Sequence, residues 1–167
     1  GSPVLQYSIG SGIGTIGLID NDVVDVSNLH RQTIFSMVDI GKYKVDIAKE
    51  YSNKINSNTK IIPYKYRLNK KNAEKIINKF DFVVDCTDNH QSKLIINDEC
   101  YNSKKPLIYG SVAGFFGQVS TFKPYKSNKK NIPYPSYRSM KILNNNEEDC
   151  NHNGILGPIA GVIGSLQ

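Results

Sequence analysis

The chain has 167 residues, 39% of them hydrophobic and 22% charged, with a formal net charge of +6. That is long enough for one sizeable core, and no Pro/Gly/Ser-rich linker divides it, so one domain is expected over residues 1–167. No apolar run reaches the roughly eighteen residues of a membrane span, and the opening GSPVLQYSIGSG lacks the charged and apolar regions of a signal peptide, so a soluble protein without a membrane partner is expected.

The basic balance comes from lysines spread from Lys42 through Lys75 and onward. They form no cluster with interleaved aromatics, which argues against nucleic-acid binding. Cys86, Cys100 and Cys150 are an odd, widely spaced set without CxxC, which points to a reducing, cytoplasmic setting rather than a disulfide framework.

In chain order, residues 3–9 read as a helix burying Val4, Leu5, Ile9 and Tyr7, running out into Gly10, Gly12 and Gly14. A strand follows at 15–19. Residues 38–55 have helical spacing at Ile40, Val45, Ala48 and Ile55; 61–66 reads as a strand and 70–79 as a helix. A third strand ends at Asp85, residues 94–101 are helical, 107–110 form a strand and 117–122 an edge strand. Residues 154–167 make an apolar small-residue helix. The alternation predicts a doubly wound α/β fold, Rossmann-like, with a largely parallel sheet covered by helices on both faces. In such a fold the strand ending at Asp20 is the second one, so the first strand is expected to be missing, and Gly1-Ser2 is either the tail of a glycine loop or a cloning scar.

Two stretches carry chemistry. In LIDNDVVDVSNLHRQTIFSMVDIGKYK, an acid at a strand tip is followed by Asn28, Arg31, Gln32 and Lys44. Asp20 is placed to meet ribose hydroxyls, and Arg31 and Lys44 to meet phosphates, although acids at strand ends also serve as turn formers and helix caps. In VVDCTDNHQSK, Asp85 ends a strand and Thr87, Asp88 and Asn89 open a helix. Asp88 suits magnesium, which is usually held by one or two carboxylates and phosphate oxygens; the bland reading is a helix cap. Cys150 lies in the polar run NNNEEDCNHNG beside His152, with acids that disfavour a thiolate. Cys86 and Cys100 read as core residues, and His30 and His90 as scaffold.

LIDNDVVDVSNLHRQ, the lysine of IGKYK, DFVVDCTDN, PLIYGSVAGFFGQVSTF and CNHNGILGPIAGVIGSLQ together resemble the ThiF/MoeB/HesA family, relatives of the ubiquitin-activating enzymes, over nearly the whole chain. The resemblance implies an adenylyltransferase that uses Mg-ATP to activate the C-terminal glycine of a ubiquitin-like sulfur carrier, for molybdopterin, thiamin or tRNA thiolation. It implies a homodimer, and a sulfurtransferase or cysteine desulfurase as further partner. On it, Asp20 holds the ribose, Asn28, Arg31 and Gln32 line the triphosphate, Lys44 neutralises the leaving pyrophosphate, and Asp88 holds magnesium beside Asn89. Cys150 matches the position at which some members form a thioester, persulfide or acyl-disulfide.

Against the family pattern, a CxxC that helps bind structural zinc is replaced here by Ser136-Tyr137-Arg138-Ser139, so no zinc site is expected. The glycine loop and an N-terminal arginine that reaches the neighbouring subunit are also missing, and the chain reads as truncated at both ends. Two rivals remain: a non-catalytic partner subunit of an activating enzyme, and an NAD-dependent oxidoreductase, which gives no joint role to Arg31, Lys44 and Asp88.

Overall fold

The computed structural model describes residues 1–143 and 154–167. Helix α1 (Ser2–Gly10) takes Pro3 in its first turn, where a missing N–H costs nothing, and ends as Gly12 adopts φ +77°. It buries Leu5 and Ile9, whereas Tyr7, expected inside, is 65% exposed because it projects on the opposite face. Strand β1 (Thr15–Ile19) pairs in parallel with β2 (Lys60–Tyr64), Ile16 opposite Ile61.

Between them runs α2 (Lys44–Ile55). The expected helix began at residue 38; instead Met37–Asp39 is a short 3-10 turn closed by Ser36 and Asp39 (Ser36 Oγ to Asp39 Oδ2, 2.6 Å), and Gly41 at φ +82° breaks the path. Val45, Ile47 and Ala48 are buried, while Ile40 and Ile55 lie at the solvent-facing ends.

Helix α3 (Ala73–Ile77) is shorter than its apolar spacing suggested, because Asn69 and Asn72 hold the preceding turn through each other's backbone N–H. Strand β3 (Val83–Asp85) leads to α4 (His90–Asn102), β4 (Leu107–Ala113) and β5 (Phe116–Phe122). β3 and β4 are parallel, and β4 and β5 form an antiparallel hairpin with Tyr109 opposite Ser120. Helix α5 (Tyr137–Leu143) was not expected, although Tyr137 and Met140, three residues apart, both pack on the core. Reciprocal bonds at its start, Ser136 N to Ser139 Oγ at 3.2 Å and Ser139 N to Ser136 Oγ at 3.4 Å, act as a cap. The Ser136 and Ser139 hydroxyls therefore open a helix. Helix α6 (Gly157–Leu166) closes the described chain.

The doubly wound α/β expectation holds, with one difference: among the described residues the strands form two blocks, β1-β2 and β3-β4-β5. Each has its own core. Leu5, Ile9 and Ala48 pack with Ile16, Leu18, Ile34 and Phe35 on the first; Ala73, Ile77, Ile96, Cys100, Leu107, Tyr109 and Phe122 form the second. Each fully buried aliphatic side chain contributes about 1.5–3 kcal/mol.

Side chains join the blocks. A Cβ on Gly17 of β1 would stand 2.3 Å from the Phe80 ring, so the ring lies flush against bare backbone, and Gly164 of α6 packs on Pro3 of α1. Among the described residues, no helix is long and apolar enough to cross a membrane.

Candidate active site at the strand tips

Asp20 directly follows β1 and Asp88 lies three residues past the end of β3, at the carboxyl edge where doubly wound sheets bind ligands. Asp20 Oδ1 accepts the Asp22 N–H at 2.9 Å, so the carboxylate does form a turn, with its other oxygen left for a second role. Burial pushes its pKa above the ordinary carboxylate value. The Asp22 hydrogen bond and nearby Lys44 pull it down, while the charges of Asp22 and Asp88 add to the rise.

Lys44, at the first position of α2, is only 9% exposed, and its Nζ lies 3.2 Å from Asp22 Oδ2. Asp22 itself remains largely open to water. Asn28 ends a 3-10 turn (Val26–Asn28) that Asp25 caps through Ser27 N at 2.8 Å, and its carbonyl accepts from Gln32 N at 2.9 Å. Arg31 Nη1 donates to the Ser27 carbonyl at 3.1 Å and lies 3.3 Å from His30 Nε2. Gln32 Oε1 is buried with no hydrogen-bond partner. Such an orphan is costly, about 1–3 kcal/mol, unless a bound molecule or water donates to it.

Asn89 caps α4, its Oδ1 accepting from Ser92 N at 2.9 Å, and its Nδ2 is 3.4 Å from Asp88 Oδ1. Asp88 is the exposed carboxylate that could hold a magnesium ion, which usually takes one or two carboxylates and keeps its waters and phosphate oxygens. Among the described residues there is no group of three or more His, Cys, Asp or Glu that could hold a metal by itself. Cys150 lies outside the described residues.

Two features escaped sequence reading. Cys86, expected in the core, is exposed because the chain has left β3 at Asp85; Cys100 is buried, as expected. Beneath the Asp88 turn, Asp85 and Lys93 are both buried and pair at 3.1 Å. An Asp at a strand end and a Lys eight residues on, across a turn and one helical turn, was the available signal. Breaking one partner of such a pair typically costs about 3–5 kcal/mol.

A cavity of about 530 Å³ lies elsewhere, between α4 and α5, lined by Asp98, Tyr101, Pro133, Tyr134 and Arg138. The residues singled out for nucleotide chemistry lie instead at the strand tips and the turns after them.

The sequence and fold match known proteins throughout. The model of the ThiF family covers residues 1–167. A probable molybdopterin-synthase adenylyltransferase from Porphyra purpurea is 42% identical over 167 residues, covering 100% of this chain and 43% of that protein. The adenylyltransferase and sulfurtransferase UBA4 of Meyerozyma guilliermondii is 40% identical, covering 99% of this chain and 38% of that protein. The chain thus spans about two fifths of the length of these curated relatives. Among solved structures, E. coli MccB with MccA-N7isoASN superposes with a TM-score of 0.78 at 25% identity, over 99% of this chain and 50% of that one. E. coli MccB with ATP gives a TM-score of 0.78 at 24% identity, over 99% and 49%, and shares the fold. A match from the first residue to the last, on a fold with its acids at the expected strand tips, makes this chain a member of the ThiF family.

Proposed function

We propose that the chain is the nucleotide-binding unit of an adenylyltransferase that activates the C-terminal glycine of a ubiquitin-like sulfur carrier with Mg-ATP. The observation that carries this reading is the position of Asp20 and Asp88 just past the carboxyl ends of two strands, with Lys44 within electrostatic reach of Asp20. The relatives' names, adenylyltransferase and sulfurtransferase, support it.

In this reading Asp20 accepts from the ribose hydroxyls, and Asn28, Arg31 and Gln32 line the phosphates. A carrier carboxylate oxygen attacks the α-phosphorus, the bond from that phosphorus to the β-phosphate bridging oxygen breaks, and pyrophosphate leaves with the bond's electron pair. The product is the carrier's acyl-adenylate. Attack brings anions together, so Arg31 and Lys44 stabilise the charge developing on the pyrophosphate. Asp88 would hold magnesium, whose charge, when bound, offsets phosphate repulsion. Cys150 is the thiol proposed to receive sulfur or carrier later.

The same reading makes the enzyme a cytoplasmic homodimer. Phe115 and Phe116, 76% and 81% exposed at the turn into β5, are the apolar side chains it would use. The test is ATP–pyrophosphate exchange by the full-length protein with candidate carriers ending in Gly-Gly. Carrier-dependent exchange is expected; Mg-ATP binding without exchange for any carrier would favour a non-catalytic partner subunit instead.

A further inference from the structure

Lys93 and Asp85 touch none of the atoms that the proposed chemistry moves, yet they are the most deeply buried charges near the site, with side chains 6% and 1% exposed. Both oxygens of Asp85 are committed. Oδ1 accepts from Thr87 N at 2.8 Å and from Thr87 Oγ1 at 2.7 Å; Oδ2 accepts from Lys93 Nζ at 3.1 Å. Lys93 Nζ also donates to the Gly110 carbonyl at 2.9 Å and sits 4.8 Å from the centre of the Tyr109 ring. The Asp85 carbonyl accepts from Gln167 Nε2 at 2.8 Å. One carboxylate therefore gathers α4, the chain after β3 and, through Lys93, the middle of β4.

A helix cap explains none of this, because Asn89 already caps α4. The Asp85 bonds act one residue before Asp88, on the backbone N–H and hydroxyl of Thr87, so they fix where the Asp88 side chain starts. We propose that Lys93 is a positioning residue: by pairing with buried Asp85 it keeps that carboxylate bonded to Thr87 and so aims Asp88 at the metal bound with ATP. This rests on the reading of Asp88 as the magnesium ligand. Groups that orient a metal ligand without touching the metal commonly change its affinity by about ten- to a hundredfold when removed.

The test uses the full chain and three variants, Lys93→Met, Lys93→Arg and Thr87→Val. Manganese binding in the presence of ATP is titrated by electron paramagnetic resonance, and hydrogen exchange at the Thr87 amide is followed by NMR. Lys93→Met is expected to weaken manganese binding about tenfold and to speed Thr87 exchange, with metal-free ATP binding unchanged. Lys93→Arg should restore both. Thr87→Val, which leaves the ion pair in place, should weaken manganese binding at an unchanged melting temperature, and it decides the matter if Lys93→Met does not fold. Wild-type manganese affinity in folded Lys93→Met, or in Thr87→Val, would overturn the proposal. Metal-dependent ATP binding without carrier-dependent exchange would sink the adenylation reading while leaving this one decided by its own arms.

Discussion

Gly157, the first residue of α6, lies so close to His30 that a Cβ on it would stand 2.6 Å from the His30 carbonyl oxygen. That atom is backbone and precedes Arg31, so it has little room to give. Gly157→Ala is expected to displace the Arg31 turn and lower ATP–pyrophosphate exchange by about tenfold to a hundredfold, since misplacement of about 1 Å can have that effect. Gly161→Ala, where nothing lies within 4 Å, serves as the control and should stabilise α6 by up to about 1 kcal/mol. Equal exchange rates in the two variants would show that the contact does not matter to turnover.

For the cations and the metal ligand, Lys44→Ala and Asp88→Ala are expected to reduce exchange by about a hundredfold or more while circular dichroism stays native. Asp88 is exposed and Asp22 is largely in water, so the one burial cost of these changes is the loss of the Lys44 charge beside half-buried Asp20. Retained magnesium-dependent turnover in Asp88→Ala would remove that residue from its role.

Asp20 sets up an opposition between stability and binding. Its folded-state pKa is raised, chiefly by burial, so the folded protein holds its proton to higher pH than the unfolded chain does. Stability therefore falls as pH climbs from the ordinary carboxylate value through the raised one, and stays lower above it. Asp20→Asn should flatten that part of the stability–pH curve and resist urea better at neutral pH, while weakening ATP binding about tenfold or more through loss of a charged hydrogen-bond acceptor. Urea titrations from pH 3 to 8 check the first half, and calorimetry with ATP the second.

The opposite sign applies at Asp98. The hydrogen bonds from Arg138, both 2.6 Å, hold its carboxyl below the usual range. The pair contributes above the unfolded-state value near 3.9 and its contribution fades as pH falls through the lower folded value. Because Arg138 is more than half exposed, Arg138→Ala should lower stability only slightly at neutral pH, and not at all in strong acid. A loss that grew toward low pH would contradict this.

Thiol labelling should separate two cysteines. Burial, with Asp85 and Glu99 adding to it, pushes the Cys100 thiol up to about 12, whereas Cys86 is exposed. Iodoacetamide at pH 8 is expected to modify Cys86 within minutes and Cys100 only in denaturant; mass mapping of labelled peptides reads the outcome.

Much of this was legible in the residues. Strand positions came from β-branched runs bounded by Gly, Asn and Asp, and Asp20 and Lys44, distant in sequence, lie within electrostatic reach of each other because strand tips and the helices after them are set by the fold class. Boundaries were less legible where local polar bonds overrode periodicity. Ser36 and Asp39 with Gly41 moved the start of α2, and Asn69 with Asn72 trimmed α3. α5 was missed because it is short, with only Tyr137 and Met140 spaced as a core-facing pair and a serine pair as its cap. The Asp85–Lys93 pair was hidden for another reason: Lys and Asp are read as surface residues until a structure shows what covers them.

Among the described residues β1 and β3 share no backbone ladder, and Phe80 on Gly17, Gly157 on His30 and α6 on α1 are among the contacts that cross between the two blocks. In the proposed reading, a nucleotide gripped by Asp20 on one side and Asp88 on the other is a clasp, and part of its binding energy appears as slowed amide exchange on both sides of the seam.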